Sequence, residues 1–253
     1  WRWCLYVNLL FAIPAAVAAF QLLVNQSQKD RPRLDLLGTV TGTVGLFALV
    51  YGFSNSETHS WGHPMTIVSL AVAVALLVAF AMIESRVAHP LLPLRVVADR
   101  TRGGAYIAVA FASVALFGVF LFLTYYLQQT KGFTPIQTGL AFLPMPVSIV
   151  LTSTTVNIKL LGRIGPRPLM TFGMVMGVIG MVWLAQLEVS SSYATHVLPS
   201  LVVLGLGMGC VFAPAFQSAT FGVAPTDAGI ASAMVNVGQQ VGGSVGTALL
   251  SSI

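Results

Sequence analysis

The sequence predicts an all-α bundle of membrane-spanning helices, on three observations. Hydrophobic residues make up 56% of the chain and charged residues 8%, where a soluble domain carries about 25% charge. The mean hydropathy is +0.86. The apolar stretches run for roughly 20 residues, the length of a helix crossing a hydrocarbon core about 30 Å thick; barrel strands are half as long and alternate. The loops between those stretches also carry their basic residues in a pattern that only a multi-pass topology explains.

Eight spans are expected. The first runs from about Leu5 to Val24, entered through Trp1 and Trp3, which suit a membrane interface. A polar linker with Lys29, Arg31 and Arg33 leads to the second, Leu36 to about Phe53, rich in Gly and Thr. The loop SNSETHSWGH precedes the third, Met65 to Ile83. A longer polar segment follows, Glu84 to Gly104, in which Pro90 and Pro93 bracket a short interfacial helix. The fourth span, Ala105 to Leu127, and the fifth, about Gln137 to Val156, form a tight hairpin. Two prolines, Pro144 and Pro146, sit in the fifth, which a bilayer span tolerates where neighbouring helices satisfy the freed backbone groups. After the basic turn NIKLLGRIGPRP come the sixth span, Leu169 to Leu187, and the seventh, Val197 to Phe216; the eighth starts near Ile230 and is still running at Ile253.

Charge sorts these loops onto two faces. Loops after the first, third, fifth and seventh spans hold Lys29, Arg31, Arg33, Arg86, Arg95, Arg100, Arg102, Lys159, Arg163 and Arg167, ten of the twelve basic residues. The opposite face has Arg2 and Lys131. The positive-inside rule places the ten-residue face of this multi-pass chain in the cytoplasm. The net charge of +5 is therefore a topology signal, and nucleic acid is excluded as a partner.

No catalytic set appears. The seven acidic residues lie in loops or at span ends, so no carboxylate of the kind that marks proton coupling sits mid-membrane. The histidines form no metal-ligand spacing, and Cys4 and Cys210 are packing residues; no metal site and no enzymatic activity are expected. What remains within the spans is polar and uncharged: Gln128 and Gln129, Asn157, Gln217, and the trio Asn236, Gln239 and Gln240. Such amides either bond between helices, at about 0.6 kcal/mol per contact, or line a cavity. Asn236 and Gln240 are four apart and share a helix face. Phe120 and Tyr125 on the fourth span pack against lipid or build an amphipathic site. The substrate-binding candidates are thus Phe120, Tyr125, Gln128, Gln217, Asn236, Gln239 and Gln240. Glycines four apart (Gly38/Gly42, Gly173/Gly177, Gly205/Gly209, Gly238/Gly242/Gly246) predict close helix contacts, and Asp227 predicts a cap on the last helix.

Several stretches together resemble one family. Trp1-Arg2-Trp3 with Asn8, Leu34-Asp35-x-x-Gly38, and Glu84-x-Arg86 through His89-Pro90-Leu91-Leu92-Pro93-Leu94 occur in order. Tyr126-Leu127-Gln128-Gln129, Gly132-Phe133-Thr134-Pro135, Thr138-Gly139 and Leu143-Pro144 follow. Gly162-Arg163-Ile164-Gly165-Pro166-Arg167 and Gly229-x-Ala231-Ser232…Asn236…Gln240-x-Gly242-Gly243 complete the series. The set is similar to the 14-helix drug:proton antiporter branch of the major facilitator superfamily (the EmrB/QacA type). Gly162 stands where an acidic residue is common, and Gln239 where an arginine is frequent.

The resemblance implies a partial major facilitator fold covering helices six to thirteen, an internal fragment of a longer protein. Residues 1–24 would end the N-terminal half, 25–103 would be two inserted central helices, and 104–253 would be five of the six helices of the C-terminal half. It implies efflux of drugs or other amphipathic small molecules by antiport against protons, across a cell (inner or plasma) membrane. The proton gradient is the energy source, without a cofactor, in a protein that is a monomer when full length. Arg163, Gly165 and Arg167 would form the gating loop. The alternatives are a facilitator-fold transporter dedicated to one metabolite and a non-transporting membrane scaffold.

Overall fold

A computed structural model describes residues 2–22, 35–87, 90–224 and 227–251. Trp1, the basic linker with Lys29, Arg31 and Arg33, His89 and the Pro225-Thr226 pair fall outside them, as do the side chains of Trp3, Cys4 and Asn157. The chain divides into two units, residues 1–34 and 35–253. The first contributes α1 (Arg2–Leu22), with Pro14 inside it and every described side chain exposed.

The second unit is a bundle of closely packed helices. Among the described residues, six stretches are long and apolar enough to cross a membrane: Leu36–Ser56, Pro64–Glu84, Arg100–Thr130, Pro135–Ile164, Pro166–Ala185 and Tyr193–Thr220. The last helix of the chain, Ala228–Ser251, is 24 residues long but falls outside that set, because its amides and glycines dilute its hydropathy. In α1 the apolar part, Tyr6–Leu22, is shorter. Among the described residues, six of the eight expected spans thus qualify by length and composition; the described part of the first is a shorter apolar helix, and the eighth is more polar.

Helix ends follow the local chemistry. α2 (Leu36–His59) starts at Asp35, whose carboxylate accepts the Gly38 N–H at 2.9 Å, and it runs through residues that the sequence reading left in a loop. The turn to α3 (Pro64–Glu84) is only four residues long and is packed: Asn55 donates to Thr66 at 2.8 Å, and Trp61 lies edge-on to Phe53. α4 (Leu94–Ala98) is the short helix after Pro93. α5 (Arg100–Tyr125) begins where Asp99 accepts the N–H groups of Thr101 and Arg102, and it widens at its far end into a π turn, Tyr126–Thr130. Gly132 then takes φ +69°, and Thr134 opens α6 (Pro135–Phe142) with a reciprocal capping box to Gln137.

The expected single fifth span is two helices. Pro144 has no N–H to give Leu140, so α6 stops at Phe142 and α7 (Pro144–Thr155) restarts with Pro144 in its first turn. The chain stays helical through a second π turn, Val156–Leu160, and α8 (Leu161–Ile164). Gly165 at φ +83° reverses it into α9 (Pro166–Ala185). A third π turn, Tyr193–Val197, leads into α10 (Leu198–Thr220), and α11 (Ala228–Ser251) closes the unit.

Packing centres on α10, which buries 61% of its apolar window; no other helix of the six exceeds 33%. It contacts α5, α7, α9 and α11. Small residues set these approaches. A Cβ on Gly207 would stand 2.7 Å from the Gly173 carbonyl of α9, one on Gly205 2.6 Å from the Met145 carbonyl, and one on Gly209 2.7 Å from Thr152, both on α7. Gly242 and Gly246 of α11 lie directly on Ala110 and Val114 of α5. α11 also packs on α2, which pairs along its length with α3 through Gly42, Gly45 and Gly52. The glycine pattern of the sequence therefore marks real contacts, with one exception: a side chain at Gly177 would point into open space.

Candidate functional site

The loops gather at two ends. At one, Arg95 of α4 pairs with Asp227 ahead of α11 at 2.9 Å, and Arg102 donates to the Gly222 carbonyl at 3.4 Å. The backbone carbonyl of Asp227 also accepts the Ala231 N–H. A cavity of about 730 Å³ lies there, lined by Asp99, Thr101, Arg102, Gly162, Gln217 and Gly222 among others. It unites the segments that follow the third, fifth and seventh expected spans. The Nε of Arg102 is buried at this mouth without a partner among the described residues. Asp99 is held below the ordinary carboxylate value, chiefly by accepting the Arg102 backbone N–H, with the Arg102 charge and the Thr101 N–H adding to this and slight burial opposing it.

At the other end, Tyr126 donates to the Glu188 carbonyl at 2.7 Å, Lys131 to that of Val189 at 2.7 Å, and Tyr193 to that of Ala141 at 2.9 Å. The π turn after α5 is thereby tied to the loop after α9.

The gating-loop candidates have a clear local origin. Gly165 adopts φ +83°, ψ 171°, a backbone region that is essentially glycine's own. Arg163 and Arg167 flank it, both exposed and without an ion-pair partner among the described residues.

The seven substrate candidates do not converge on one site. Gln217 lines both the 730 Å³ cavity and an open groove on α10 with Ala213, Phe216 and Thr220. Tyr125 lines a separate, apolar cavity of about 420 Å³ with Phe122, Tyr126, Met181 and Leu250. Phe120 packs on Phe142 with ring centroids 4.9 Å apart. Gln128 sits half-buried in the π turn. Gln240 lines a third space, about 270 Å³, between α2, α5 and α11. Asn236 is exposed and Gln239 half-buried on the same helix, outside these cavities.

The interhelical-bond reading of the amides fails here. Asn236 donates to the Ser232 carbonyl of its own helix at 3.3 Å. Gln128, Gln217, Gln239 and Gln240 make no side-chain hydrogen bond among the described residues, and of these Gln217 and Gln240 line cavities. The sequence reading missed Ser244 and Thr247, although they continue the Asn236–Gln240 stripe at helical spacing, and Ser54, which reaches this stripe from a distant helix. The His59 and His63 rings lie 4.9 Å apart across the α2–α3 turn. No group of three metal-ligating side chains occurs among the described residues.

Membrane-length helices packed around a glycine-lined central helix define a polytopic membrane protein. The Major Facilitator Superfamily profile matches residues 1–247. The chain belongs to that superfamily, and is a multi-pass cell-membrane protein of a transporter family. It is 45% identical, over its whole length and 50% of the relative's, to the puromycin resistance protein pur8 of Streptomyces alboniger. It is 33% identical to the cephamycin export protein CmcT of Amycolatopsis lactamdurans, covering 100% of this chain and 53% of that protein. It is 30% identical to a multidrug resistance protein B homolog of Mycobacterium tuberculosis, covering 99% and 47%. The chain spans about half the length of the curated relatives it matches.

Proposed function

We propose that this chain forms part of an exporter of amphipathic small molecules, driven by protons, with substrates of the puromycin type foremost. The observation that carries the reading is membership of the superfamily beside relatives named for drug resistance and export, in a chain whose Gln217 and Gln240 line open cavities. Both amides are exposed toward these spaces and make no side-chain hydrogen bond among the described residues, which leaves them for water or a passing solute. The relatives named for resistance or export point to drugs as that solute. The order of its motifs fits helices six to thirteen of a 14-helix antiporter, with α2 and α3 as the inserted pair. Coupling then rests on a carboxylate in the part of the protein that this chain does not span. A rocking of two halves about a midplane site accommodates the positions of Gln217 and Gln240 on separate helices.

The test is export by the intact transporter in a drug-sensitive host. Puromycin resistance that collapses with a protonophore supports the reading; unchanged susceptibility to puromycin and to a panel of lipophilic cations sinks it. A second reading, a transporter dedicated to one compound, is favoured by relatives named for single antibiotics, cephamycin and lincomycin among them. Export of one chemical class, with indifference to the rest of the panel, would select it.

A further inference from the structure

We propose that α2 supplies one wall of a substrate subsite shared with α11, in which Ser54, Gln240 and Ser244 hold the polar substituent of an aromatic or heteroaromatic group stacked on Phe117. The inference rests on the export reading above and names a place where the exported molecule is held.

The 270 Å³ space lies between α2, α5 and α11, and its walls differ in character. On α11, Gln240, Ser244 and Thr247 are spaced four and three apart, a continuous stripe on one face. On α5, the Phe117 ring is 45% exposed. It lies over Gly243, where a Cβ would come within 2.7 Å of the ring. On α2, Val50 and the exposed Ser54 line the opposite side of this open space.

The polar groups here are not used up by the protein. Ser69, Ser148 and Ser200 each donate to the carbonyl four residues back, the ordinary fate of a helix hydroxyl in an apolar setting. Ser54, Ser244 and Gln240 make no such bond and have no side-chain partner among the described residues. Thr247 donates to the Gly243 carbonyl at 2.9 Å but retains its acceptor lone pairs. Three unengaged donors around an aromatic face describe a receptor for one amphipathic moiety. A whole drug-sized ligand takes about 300–1,000 Å³, so the space admits one ring bearing an amino, amide or hydroxyl group, and the rest of the molecule extends beyond it.

The experiment uses the intact transporter with Cys4 and Cys210 replaced by Ser. Ser54→Cys is labelled with a membrane-permeant maleimide, with and without puromycin or ethidium. Saturating either compound at about ten times its Kd should slow labelling by about tenfold. Ser54→Trp, which fills the space from α2, should lower resistance to the larger aromatic compounds by about tenfold or more, at unchanged abundance. An active transporter whose Ser54→Cys labels at one rate throughout, and whose Ser54→Trp exports normally, would overturn the subsite while leaving the export reading intact. If the unsubstituted protein exports neither compound, the export reading falls and the subsite with it.

Discussion

Thr134 illustrates how single side chains fix the outline of this protein. It begins the helix that prolines will soon interrupt, and its hydroxyl accepts the Gln137 N–H while Gln137 returns a bond to the Thr134 N–H. Thr134→Ala should cost about 1 kcal/mol, read as a lower Tm in detergent, and Thr134→Ser should retain most of it. Asp99 plays the same part for α5, with a pH signature. Its carboxyl sits below its ordinary value in the folded protein, so its contribution is complete above that value and disappears as pH falls through the depressed one. The Tm difference between the unsubstituted protein and Asp99→Ala should therefore be full at pH 7 and shrink below about pH 4. A difference that grows on acidification would contradict the cap. These caps are legible in sequence because Thr-Pro-x-Gln, and an Asp just before a helix, name their own geometry. The roles of the polar residues were less legible. Whether Gln240 bonds another helix or faces a cavity depends on what lies opposite, and opposite is Ser54, more than 180 residues away in sequence.

At the scale of helices, close approach divides the glycines into those that tolerate a side chain and those that do not. Gly207→Val would drive its side chain into the backbone of Gly173 and Gly177, costing about 3 kcal/mol, the upper end of ordinary overpacking. Gly177→Ala meets nothing and should stabilise α9 by roughly 0.5–1 kcal/mol through its lower unfolded-state entropy. Comparing the two in one thermal-unfolding series tests the packing directly, and equal effects would refute it. Spacing alone cannot separate Gly173 from Gly177, because a four-residue repeat fixes a stripe on a helix without saying where its neighbour crosses. The same limit explains the fifth span. Hydropathy reads straight through Pro144, and only the missing backbone N–H divides the stretch in two.

At the scale of the whole molecule, the ten-to-two division of basic residues predicted which loops share a side. The contacts of Arg95 with Asp227 and of Arg102 with Gly222 join two of them, the loops after the third and seventh spans. Which side faces the cytoplasm follows from the positive-inside rule. A cysteine placed at Thr130 should accordingly label in intact cells, and one at Gly162 only after permeabilisation; the reverse pattern would invert the orientation. The position of α10 has a further meaning for how this protein can change over generations. A helix enclosed by four others has little room to drift, while α3, with 17% of its apolar window buried, is answerable mainly to lipid. Saturation mutagenesis scored by growth under drug should show mutational tolerance lowest from Leu204 to Ala215 and highest along Met65 to Ile83. New specificities would then arise at the rim of the bundle, on α2 and α11, while its axis stays fixed.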